Sequence, residues 1–177
     1  PEAMLKIADL HRAAAEKLGR YGALTPDEQE QWKASIAASI AATEKMTATY
    51  PDSAQLSLGL RSLLAAKRAE VSAELLDATG VEKYFEDLAA SAPGGAKSKI
   101  LFARAALISE ADPARALAEM NKAYDPSLVY APSDLDLYGL ALVEDDKADQ
   151  AKAVFEKIAA DSPNPAGQEP GQATPAI

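Results

Sequence analysis

The chain has 177 residues, 48% of them apolar and 25% charged, with a net charge of −9 and no cysteine. That length suits one domain or one repeat array, and these are ordinary globular values for a chain that mostly folds. Acidity without any basic run argues against nucleic acid and anionic membrane surfaces as partners, and the missing thiols exclude disulfides, thiolate zinc sites and cysteine nucleophiles.

Alanine is abundant while valine, isoleucine and phenylalanine are scarce. This balance favours helices packed closely through small side chains over pleated sheets, so the expected fold class is all-α. From Pro1 to Leu18, the residues Met4, Ile7, His11, Ala14 and Leu18 recur at helical spacing and predict a first helix, stopped at Gly19. Thr25, Pro26 and Glu28 then form a start signal: a hydroxyl N-cap, proline at the first helical position and Glu three residues after the cap. The helix that follows carries Trp32, Ile36, Ile40, Thr43, Met46 and Tyr50 on one stripe and ends at Pro51.

Asp52 and Ser53 can cap a third helix, rich in leucine, that runs past Ala69. A further segment begins at Gly80 and Val81, and Pro93-Gly94-Gly95 breaks the chain. Helices are predicted from Ala96 to Ile108, from Ala114 to Tyr124 behind the Asp112-Pro113 cap, from Ser133 to Val143 and from Lys147 to Ala160. After Pro163 the composition turns to Pro, Gly, Ala and Gln, so residues 164–177 read as a linker-like tail.

The text FEDLAASAP from Phe85 returns as FEKIAADSP from Phe155, and halfway between them a third copy can be aligned. In a register of 35 residues, Ala69, Arg104 and Gly139 fall at the helix crossing, Val81, Ala116 and Ala151 follow, and then Phe85, Met120 and Phe155. Pro93 and Pro163 close the outer units, while Leu128 stands at that place in the middle one. This pattern resembles the tetratricopeptide repeat family, whose unit is a helix pair of about 34 residues. The third unit fits best, with Leu135, Tyr138, Gly139, Leu142, Ala151, Phe155 and Pro163 at the family's positions. The resemblance implies a right-handed superhelix of about four antiparallel helical hairpins. Residues 1–53 would form an N-terminal hairpin and residues 54–163 three repeat units. The junction Thr49-Tyr50-Pro51-Asp52-Ser53-Ala54 resembles that of bacterial envelope members, which makes the periplasm or cell envelope the expected location and the cytoplasm the alternative.

No catalytic motif, phosphate loop, dinucleotide fingerprint or calcium loop is found, so no enzyme activity, metal or cofactor is expected. His11 reads as a packed or surface residue, the acidic run Glu144, Asp145, Asp146 and Asp149 as a solvated corner, Trp32 as core, and Gly59 as a close helix crossing. What the resemblance implies about function is a concave groove lined by the first helix of each unit. That groove would be formed by Leu63, Ala66 and Glu70, by Leu101, Ala105 and Ile108, and by Asp136, Leu140 and Val143. None of these is Lys, Arg or Asn, which speaks against the carboxylate grip of chaperone-binding family members. An apolar groove with acidic margins suits an apolar partner segment with basic flanks. The expected function is therefore a non-catalytic scaffold or adaptor for another protein or peptide. The alternative is a structural subunit that docks into a larger complex through its convex face and tail.

Overall fold

A computed structural model of the chain describes residues 1–19 and 24–161. The tail at 164–177 and the closing Pro163 lie outside the described residues. The structure is all-α: α1 (Glu2–Gly19), α2 (Pro26–Thr49), α3 (Gln55–Ser72), α4 (Ala78–Ser91), α5 (Gly94–Ile108), α6 (Pro113–Ala123), α7 (Pro132–Glu144) and α8 (Ala148–Asp161), with no strand among the described residues.

Local chemistry sets the boundaries. At the start of α2 the Glu28 backbone N–H donates to the Thr25 hydroxyl, and the Thr25 N–H donates back to the Glu28 carboxylate at 2.9 Å, so two otherwise unpaired donors are satisfied. The Thr25 N–H, and the Thr25 hydroxyl that donates to the same carboxylate at 2.8 Å, hold the Glu28 carboxyl below its ordinary pKa. Asp77 accepts from Gly80 N–H at 2.6 Å to open α4, and Asp112 accepts from Arg115 N–H at 3.0 Å to open α6. The helices α4, α6 and α8 begin at residues 78, 113 and 148, two equal steps of 35. The turns before α4 and α8 share a second device. Glu74 and Asp146 both adopt φ of 57°, and bonds from Leu75 N–H to Glu70 O and from Lys147 N–H to Leu142 O close the ends of α3 and α7 as Schellman motifs. The middle turn, between α5 and α6, closes without a left-handed residue; Asp112 N–H donates to Ile108 O instead. The outer two units thus agree in backbone as in text, and the middle one differs.

Packing follows an odd–even order. Each odd helix packs against the next odd one, in the series α1, α3, α5, α7, and each even helix from α2 to α6 is packed by the odd helix that follows it. Two apolar clusters result. The first joins Ala15, Ile36, Met46, Leu56, Leu60, Leu63, Phe85 and Ile100; the second joins Phe102, Ala105, Ile108, Met120, Tyr138, Leu135 and Leu142. They meet on α5, where Leu101 packs against both. Residues on either side of position 53 share the first cluster, so the N-terminal pair has no separate core.

Two close crossings depend on missing side chains. A Cβ on Gly59 would run into the end of Met46, and one on Gly139 would stand 2.6 Å from Cζ of Phe155. Arg104 occupies the corresponding crossing of the middle unit, and its charge is met by Glu119 at 3.6 Å and Glu82 at 4.0 Å. Arg115 completes that network through Glu82 at 2.6 Å. On α2 the predicted stripe holds: Ile36, Ile40, Thr43 and Met46 are buried, Trp32 is half-buried, and only Tyr50, past the helix end, is exposed. On α1 it does not. Ala8 and Ala15 are the buried residues, with Met4 and Leu5 packed beside them, while Ile7 and Ala14 face outward.

Candidate interaction surface

The nine residues expected to line a groove fall into three environments. Leu63, Ala66, Ala105 and Ile108 are buried in the two apolar clusters, and so cannot line an open surface. Glu70 is half-buried and paired with Lys67 at 2.9 Å, and Leu101 is half-buried between the clusters. Only Asp136, Leu140 and Val143, all on α7, are exposed. The reason lies in neighbours. Helix α5 packs against α3, α4, α6 and α7, and beyond its first residue only Lys97 is exposed. Helix α7 packs against α5, α6 and α8 and is followed by no further odd helix among the described residues. In the register of 35, Leu140 corresponds to Ala105 and Val143 to Ile108. The two positions are covered on α5 alone, since their counterparts on α3, Glu70 and Ala73, are half-buried and exposed.

An apolar recess does exist elsewhere, between the start of α3 and the start of α7. It has a volume of about 190 Å³ and is lined by Leu58, Val129, Tyr130, Pro132, Leu135 and Ile158, with Gln55 and Asp161 as polar members. Leu135 is fully buried, whereas Leu58 and Val129 are exposed large apolar residues. Leu58 could have been found in the sequence. In the text Leu56-Ser57-Leu58-Gly59-Leu60, the outer leucines lie four apart on one helical face, so the middle one must point away from it. Both outer leucines are indeed buried.

Beside this cleft a polar cluster ties the parallel-numbered units together. Arg61 on α3 pairs with Asp134 on α7 at 2.7 Å. Lys99 on α5 is buried and donates to Ser53 O at 2.7 Å. Burial pushes the Asp134 carboxyl above its ordinary pKa in spite of Arg61, and burial likewise lowers Lys99, opposed by Asp52 and Asp134. Behind the cleft, Phe102 lies tilted against Tyr130 with ring centres 4.9 Å apart and meets Tyr138 edge-on at 5.6 Å. The Tyr130 hydroxyl accepts the Asp125 N–H at 3.0 Å, and burial raises its pKa to about 12.

A larger cleft of about 640 Å³ lies between α2 and the end of α3, with Trp32, Lys33, Leu75 and Leu24 in its wall. Leu24 is next in sequence to residues outside the described part. His11 is half-buried on α1, and the acidic residues Glu144, Asp145, Asp146 and Asp149 are exposed at the turn from α7 to α8. Among the described residues no group of three His, Cys, Asp or Glu side chains is placed to hold a metal ion, and no helix is long and apolar enough to cross a membrane. Compared with known proteins, the chain matches no family model, no curated protein and no solved structure.

Proposed function

We propose that this protein is a non-catalytic interaction scaffold, a superhelical array of the tetratricopeptide type that holds an apolar segment of another protein. The equal steps of 35 between α4, α6 and α8, the consecutive packing of the odd helices and the Gly139–Phe155 crossing support the architectural part of this reading. The functional part rests on one observation: Leu58 and Val129 stand exposed at the rim of an apolar cleft whose floor is the buried Leu135. Exposed apolar surface of this kind marks contact sites, and a small recess with a buried floor suits an anchoring side chain. The net charge of −9 favours basic flanks on the partner, although Asp161 at the edge is itself paired with Lys157 at 2.9 Å.

The reading is tested with fluorescent peptides that carry an apolar centre and either Lys/Arg or Asp/Glu flanks. The basic-flanked peptides should bind, and the double variant Leu58→Asp, Val129→Asp should weaken them by about tenfold or more while the helical circular dichroism is kept. Equal binding by both peptide sets, or by the double variant, would dispose of the cleft as the site.

A further inference from the structure

We infer that copies of this chain associate end to end, the outer face of α1 in one copy covering the open end of α7 and α8 in the next. The seam residues Phe85 and Met120 are 0% and 1% exposed, because α5 follows α4 and α7 follows α6. Phe155, in the same register on α8, is 36% exposed. On α7 the stacking positions are open as well, with Leu140 57% and Val143 51% exposed, although their register partners Ala105 and Ile108 are buried. This end therefore leaves open a seam position that is covered twice within the chain, at Phe85 and Met120, together with two α7 positions whose counterparts on α5 are covered and whose counterparts on α3, Glu70 and Ala73, are half-buried and exposed.

The other end presents an odd helix that covers nothing in this way. Helix α1 packs on α2 and α3 through Ala8 and Ala15, yet Ala3, Ile7, Leu10 and Ala14 form a second apolar stripe at steps of four, three and four, and all four are exposed. Ile7 is 47% and Leu10 61% exposed. A helix that served only as the edge of a monomer would carry polar residues there. The α7–α8 end is mainly acidic, with Asp136, Glu144, Asp145, Asp146 and Asp149 exposed around Lys152, and α1 presents Lys6 and Lys17 among its own carboxylates to meet it. Among the described residues no odd helix covers this face, and α1 of a second copy would continue the packing order already present. Such a contact joins two different surfaces and is heterologous, so each copy keeps one free face of each kind until a chain of copies closes or ends.

Sedimentation equilibrium on the whole chain tests this directly. The parent protein should gain mass with concentration, whereas Leu10→Asp and Leu140→Asp, each at an exposed position, should remain monomers. An equimolar mixture of the two variants should give a one-to-one dimer and nothing larger, since one intact face of each kind remains. A parent that stays monomeric overturns the proposal. So does self-association of the Leu140→Asp variant, which would mean contact between two copies of α1, or of the Leu10→Asp variant, which would mean contact between two C-terminal ends. Cross-linking gives a second readout that needs no disruptive substitution. The chain has no cysteine, so a short thiol cross-linker applied to Ile7→Cys mixed with Val143→Cys should join the two, and neither variant alone should form a dimer. Dimers in either single-variant control, or none in the mixture, would also reject it. The Leu58 and Val129 cleft is untouched by all four substitutions, so failure here leaves the binding reading standing.

Discussion

Asp134 carries two opposing influences on one carboxylate. Burial between α3 and α7 disfavours its charge, while Arg61 at 2.7 Å favours it, and burial is the larger. The folded-state pKa thus lies above the ordinary 3.8. Between 3.8 and that raised value the folded protein keeps a proton that the unfolded chain has lost. The contribution of this group to stability is consequently fullest in acid and declines as pH rises through the folded-state pKa. Urea unfolding of the parent and of Asp134→Asn, which does not titrate, would expose the sign. The variant should gain stability relative to the parent as pH is raised from below 3.8 to neutral. The opposite trend would show that the pair with Arg61 outweighs burial.

At the scale of the element, the turns between paired helices hold a strain that substitution can remove. Glu74 sits at a φ of 57°, where a side chain is penalised by about 1 kcal/mol and glycine is not. Glu74→Gly should therefore raise the unfolding free energy by about 0.5–1 kcal/mol, measured as a shift of the denaturation midpoint. Ala111→Gly, in the middle turn without a left-handed residue, should lower it by a similar amount through the entropy of the unfolded chain. If both glycines acted alike, the turns would not differ as their backbones indicate. Helix ends were the part of this fold most legible in sequence, because caps and prolines act locally. Thr25, Pro51, Asp112 and Pro113 mark boundaries within a residue or two of where the helices begin or stop. The start of α4 was harder: Asp77 caps it three residues before the expected Gly80, since a carboxylate among polar neighbours carries little signal until its N–H partner is known. The faces of α1 were misplaced for another reason. Both Ile7 and Ala8 belong to apolar stripes on that helix, and only the position of α2 and α3 decides which stripe is inside.

The same dependence on neighbours governs the whole molecule. A period of 35 could be read from the chain, but whether a repeat position faces a groove or the next unit depends on what stacks beside it. Leu63, Ala66, Ala105 and Ile108 look in sequence like the lining of a surface and are core, whereas Leu140 and Val143, in register with Ala105 and Ile108, lie open. An array built by neighbour contacts should also respond to damage locally, since each unit is stabilised by the units it touches. The two apolar clusters meet only along α5, so they provide the test. Leu60→Ala and Leu135→Ala each remove a fully packed side chain, at about 2–5 kcal/mol apiece. Amide hydrogen exchange should then show Leu60→Ala lowering protection in α1 to α4 and Leu135→Ala lowering it in α6 to α8, with α5 losing protection in both. A uniform loss through all eight helices in either variant would mean that the pairing of Arg61 with Asp134 and the packing of Leu101 couple the clusters into a single cooperative unit. Localised loss would instead make α5 the hinge of stability, and would leave the open end at α7 and α8 as the part whose protection rises most when a second copy covers it.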